Sequence, residues 1–147
     1  MSANETHFIE CTPDARYFYA VEFYSSELEM KRAVAKLGAA DARGLGRLQA
    51  CCVRYKFLAE PGKRALMRKH EPIGTLFFVA GKAPREAVTH ELTHAALGWA
   101  RRTGVNPLTR NRRSYRRCPE ERFANVVQHL HEEFYRKIPP GLRGVGQ

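Results

Sequence analysis

Val88-Thr89-His90-Glu91-Leu92-Thr93-His94-Ala95-Ala96-Leu97 is the stretch on which the reading of this chain turns. Val88, Leu92, Ala95 and Trp99 recur at helical spacing and form one apolar stripe. On an ideal wheel His90 and His94 lie roughly 160° from the centre of that stripe, so they are not filler for the core it faces. The small residues Ala87 and Gly98 flank their side and leave room for a close neighbour. Immediately upstream, Gly74 to Ala80 is apolar without alternation, the pattern of a strand buried on both faces. Gly81 ends that strand, Pro84 suits the first turn of the next helix, and the helix is predicted to run to about Gly104.

Working outward, Tyr17 to Tyr24 is rich in aromatic and β-branched residues and reads as a strand. Ser26 with Glu29 forms a capping box that opens a helix through Met30, Ala33, Val34 and Leu37, closed by Gly38. From Leu48 to Leu58 the residues alternate, with Cys51, Val53, Tyr55 and Phe57 on one face and Arg54 and Lys56 on the other. This predicts a strand with one buried and one wet face. Cys118-Pro119-Glu120-Glu121 begins a last helix with an apolar stripe of Phe123, Val127, Leu130 and Phe134. Pro139-Pro140 stops it. The element order gives one α+β domain over residues 1–147, with loose tails at 1–14 and 139–147.

The bulk composition narrows the class. At 147 residues the chain can bury a core without staples, and 44% apolar with 27% charged residues argues against disorder. Met1 to Asp14 lacks the apolar run of a secretory signal, and no stretch reaches the length of a membrane span. Cys11, Cys51, Cys52 and Cys118 form no C-x-x-C pair, which points to free thiols in a reducing, cytoplasmic setting. The net charge is +10, and between Arg101 and Arg117 stand seven arginines and no acid. Such a block attracts nucleic acid, acidic peptides or an anionic surface.

The chemistry resides in the histidines. His90 and His94, four apart, lie one above the other on the same helix face, where two imidazoles can hold one zinc ion. Glu91 stands beside them and can hold a metal-bound water. Catalytic zinc takes three protein ligands and keeps a position open. The first turn of the last helix offers two carboxylates for the third place, Glu120 and Glu121. On the wheel Glu120 sits nearer the apolar stripe.

Val88-Thr-His-Glu-Leu-Thr-His-Ala-Ala-Leu97 resembles the active-site helix of the gluzincin-like zinc metallopeptidases, including small forms from phages and mobile elements. Glu121-Arg-Phe-Ala-Asn125 resembles their second motif, which carries a Glu on a following helix. The resemblance covers the last third of the chain or so. It implies a small zincin-like domain: a short mixed or antiparallel sheet packed by the active-site helix and a C-terminal helix. It implies zinc on His90, His94 and Glu121, with Glu91 as general base. Glu121 is preferred to Glu120 because Ala124 then follows at the family's spacing. Asn125 stands where these families often carry an acid that orients a ligand histidine, so that support is altered.

The expected activity is zinc-dependent hydrolysis of peptide bonds in a protein or peptide substrate, with Tyr115 a candidate oxyanion donor. The alternative is a basic nucleic-acid-associated module with a structural or vestigial zinc site, contacting nucleic acid through Arg101–Arg117. Glu91 separates the two, because a structural site has no need of a carboxylate beside its first histidine. Cys118 as a ligand would close the site.

Overall fold

The computed structural model describes residues 5–36, 50–54, 71–109 and 118–144. Among the described residues four strands and three α-helices follow one another as β1 (Glu5–Glu10), β2 (Tyr17–Tyr24), α1 (Glu27–Lys36), β3 (Ala50–Arg54), β4 (Glu71–Val79), α2 (Arg85–Thr103) and α3 (Pro119–Lys137). The strands make one mixed sheet in the order β1-β2-β4-β3. The central pair, β2 and β4, is parallel, and each outer strand is antiparallel to its neighbour.

Strand alternation sorts the side chains onto two faces. Tyr19, Val21, Phe23, Leu76 and Phe78 point toward α2 and α3, where they pack with Leu92, Ala95, Trp99, Leu130 and Phe134. Tyr24, Val53, Phe77 and Val79 point the other way and are covered by Met30 and Val34 of α1. Both faces of β4 are therefore buried, from Ile73 to Val79, as its unbroken apolar run predicts. Each large side chain sealed in this way contributes about 1.5–3 kcal/mol.

The helix ends follow local rules. The Glu29 N–H donates to Ser26 Oγ at 3.2 Å and caps α1, while the Glu29 carboxylate accepts from Ser25 Oγ. Gly104, at φ 73°, closes α2 in the left-handed region that favours glycine. Pro119 opens α3, with Glu120 and Glu121 in the first turn and Arg136 and Lys137 in the last, matching the helix dipole at both ends. No helix among the described residues is long and apolar enough to cross a membrane.

Three expectations are corrected. Within the expected tail 1–14, the described residues are not loose: β1 lies there and pairs with β2 from Glu5 opposite Phe23 to Glu10 opposite Phe18. The described residues after Pro139 are also engaged, through a 3₁₀ turn at Pro140–Leu142 whose Leu142 carbonyl accepts from Gly81 N–H at 2.9 Å. In β3 neither face is plainly wet, since Ala50 is buried on the helical side and Val53 on the side of α1. The remainder of the strand predicted over 48–58, with Tyr55, Lys56 and Phe57, lies outside the described residues, as do Leu37, Gly38 and Tyr115.

Candidate metal centre

Helix α2 is fixed on the sheet by its stripe and by one buried hydrogen bond. Val88, Leu92, Ala95 and Trp99 are all buried, and Tyr19 Oη donates to the Ala95 carbonyl at 2.8 Å. With that side against the sheet, His90 is exposed and His94 half-buried. Their Nε2 atoms stand 3.1 Å apart, with the rings nearly perpendicular at 78°. Two nitrogens bound to one tetrahedral zinc ion at 2.0–2.1 Å are about 3.3 Å apart, so the pair fits a shared ion. An imidazole N–H donating to a neutral partner ring accounts for the same separation without an ion.

Glu91 occupies a different environment. It is only 8% exposed, on the flank of α2 that faces β3, and its carboxylate accepts the backbone N–H of Cys52. Burial raises its pKa, opposed by the neighbouring His90 and by the Cys52 N–H. The Cys51 thiol is pushed up to about 11, by burial and by the charge of Glu91. A carboxyl that gains and loses its proton nearer neutrality is the form of acid that general base catalysis uses.

Helix α3 packs on the opposite flank. His131 Nε2 lies 3.3 Å from Thr89 Oγ1, and the Arg122 guanidinium covers the Trp99 ring at 5.8 Å. These contacts set the helices antiparallel, with His94 level with about Val126. Glu121 is then five residues further along α3, roughly 7.5 Å at 1.5 Å per residue. The structure thus brings His90, His94 and Glu91 onto adjoining turns of one helix, while Glu121 stands in the first turn of α3.

Cys118 is buried, with its Sγ near the Thr109 carbonyl at 3.9 Å. Asn125 is exposed. All four cysteines are free, as their spacing predicts. Of the arginine-rich stretch only Arg101 and Arg102 are described.

A second group of ligand-type side chains, not singled out from the sequence, gathers where β1 meets α3. Glu10, His129 and Glu133 place one potential ligand atom each within 4.8 Å of one another, and they are the group of three with this property among the described residues. Burial opposes ionisation of Glu133, yet hydrogen bonds from Lys137, Arg136 and the Glu10 N–H outweigh it and hold the carboxyl down to about 2. The i,i+4 spacing of His129 and Glu133 was the available signal; the carboxylate that completes the group comes from a strand the sequence did not reveal.

Comparison with known protein families, with curated proteins and with solved structures yields no match for this chain.

Proposed function

We propose that the chain is a zinc-dependent metallopeptidase that hydrolyses a protein or peptide substrate. One observation carries this reading: His90 and His94 present Nε2 atoms 3.1 Å apart, with the buried carboxyl of Glu91 on the next helical position. A bound zinc ion supplies a Lewis acid and makes water acidic near neutral pH. His90 and His94 hold the ion. Glu91 accepts the proton of the attacking water at its carboxylate and returns it to the leaving amine.

The outer strand supports a peptide as the substrate. In an antiparallel ladder the N–H and C=O of one residue point to the same side. The Cys52 N–H, given to Glu91, is therefore turned away from β4, and Glu91 reaches the outer side of β3. Among the described residues β3 is an outer strand, and an extended peptide added along that side would exchange backbone hydrogen bonds with it next to Glu91. The four free cysteines support a cytoplasmic setting.

The test is zinc content together with cleavage of a denatured protein substrate. The wild-type chain is expected to hold one zinc more than the chain carrying His90→Ala and His94→Ala. Glu91→Gln is expected to keep zinc and lose cleavage by about 10²–10⁴-fold. Glu121, on the first turn of α3, is the third ligand that the resemblance implies. Full zinc retention in Glu121→Ala assigns the site to the α2 pair, and loss brings Glu121 into it. A wild-type chain with no more zinc than the double-histidine variant, or cleavage indifferent to Glu91→Gln, would sink the peptidase reading.

The net charge of +10 favours a second reading, a nucleic-acid-associated module with a structural or vestigial zinc site. Its mark is binding to an oligonucleotide that weakens steeply with salt and survives Glu91→Gln.

A further inference from the structure

We propose that Glu10, His129 and Glu133 form a second divalent-metal site, of the zinc class, that ties β1 to α3. The donors come from two elements distant in sequence: Glu10 ends β1, while His129 and Glu133 lie one turn apart on α3. Their ligand atoms already fall within 4.8 Å of one another. Donors around one tetrahedral zinc ion sit about 3.3 Å apart, so side-chain adjustments on the order of an ångström close the site. One nitrogen with two carboxylate oxygens is a donor set for a borderline divalent ion.

A second observation, independent of the clustering, points the same way. His129 Nε2 is buried and has no hydrogen-bond partner. A ring nitrogen sealed from water without a partner is unfavourable by about 1–3 kcal/mol, and coordination removes that penalty. Glu133 is only 4% exposed, so its carboxylate is held in place inside the protein beside His129.

The resident cations are the competitors. Lys137 Nζ lies 2.7 Å from Glu133 Oε2 and 4.0 Å from Glu10 Oε1, and Arg136 pairs with the other oxygen of Glu133. Lys137 has somewhere else to go, because its Nζ also reaches the Phe8 carbonyl at 3.2 Å. A metal ion entering here displaces the Lys137 ammonium from the carboxylates and leaves it on the Phe8 carbonyl. The competition predicts that removing the lysine tightens the metal, while dependence on the His129 ring nitrogen is the mark that a nonspecific ion on the carboxylates lacks.

This site shares no residue with the α2 pair, so it stands or falls separately from the peptidase reading. The experiment uses the full chain carrying His90→Ala and His94→Ala, titrated with zinc alone and followed by calorimetry and thermal unfolding. One zinc per chain and a raised unfolding temperature are expected. Adding His129→Ala should abolish both, Glu10→Gln should weaken them, and Lys137→Gln should tighten binding about tenfold, the scale of one removed neighbouring charge. Circular dichroism of the His129→Ala chain checks that the helix is retained. No zinc in the parent double variant, zinc indifferent to His129→Ala, or binding weakened by Lys137→Gln would each overturn the proposal.

Discussion

Cys52, on the outer strand of the sheet, donates its backbone N–H to the carboxylate of Glu91 on the helix packed above it. The bond explains how a carboxylate tolerates a position only 8% exposed. It also makes Glu91 a structural residue of the bare protein, whatever it does with a ligand. Substitutions there separate the two roles.

In the metal-free chain Glu91→Gln keeps an acceptor for Cys52 and removes a buried charge, so it is expected to unfold at the same or slightly higher temperature than wild type. Glu91→Ala leaves the Cys52 N–H without its acceptor and should destabilise by about 1–3 kcal/mol. Urea unfolding of the two variants beside wild type checks the ordering. An alanine variant as stable as the glutamine variant would remove the Cys52 bond from the account.

Glu133 gives the pH dependence. Its carboxyl is held down to about 2 against the ordinary 4.5, so the folded state favours the ionised form. The stability it contributes is fully present above pH 4.5 and is lost as pH falls through about 2. Glu133→Gln should therefore lower the urea midpoint at pH 7, and the gap to wild type should narrow steadily between pH 4.5 and 2. A gap constant over that window would contradict the pairing with Lys137 and Arg136.

Tyr19→Phe deletes only the hydroxyl that reaches the Ala95 carbonyl from inside the core. A loss of about 1 kcal/mol in unfolding free energy is expected, with the α-helical circular dichroism unchanged. A neutral result would mean that the stripe of Val88, Leu92, Ala95 and Trp99 alone seats α2.

Gly144 leans on the turn after β4. A Cβ built there would stand 2.0 Å from the Ala83 carbonyl oxygen, backbone against which no rotamer can adjust. Gly144→Ala is expected to destabilise by about 1–3 kcal/mol through overpacking. Thermal unfolding would show it, and Gly141→Ala, with nothing within 4 Å of its added Cβ, is the matched control.

Much of this architecture was legible because it rests on local rules. β2 spans Tyr17–Tyr24 as its aromatic run suggests, and α2 closes at the left-handed Gly104 as predicted. Pro119 and two acids marked the start of α3. β1 escaped because its residues, Glu-Thr-His-Phe-Ile-Glu, bury only Ile9 fully, and their strand conformation depends on pairing with β2. The site divides along the same line. The closeness of His90 and His94 is a property of any helix and could be read from their spacing. Where Glu121 sits depends on which flank of α2 receives α3, and that is decided by Thr89, His131, Trp99 and Arg122 across two helices. Glu10 and Glu133 meet across 123 positions, beyond the reach of any periodic pattern.

That long-range meeting has a consequence for how the chain is made. β1 is bonded to the sheet along one side and is held from above by residues of α3, through Glu133 to the Glu10 N–H and Lys137 to the Phe8 carbonyl. At about 5–20 residues per second, a ribosome needs several to tens of seconds to deliver those residues after β1 has emerged. Throughout that interval the nascent strand offers Phe8 and Ile9 to whatever lies nearby. Early protection by a chaperone, or a pause that lets β2 and β4 assemble first, would fall in that window, and premature termination before α3 would release a chain whose opening strand has lost its anchor.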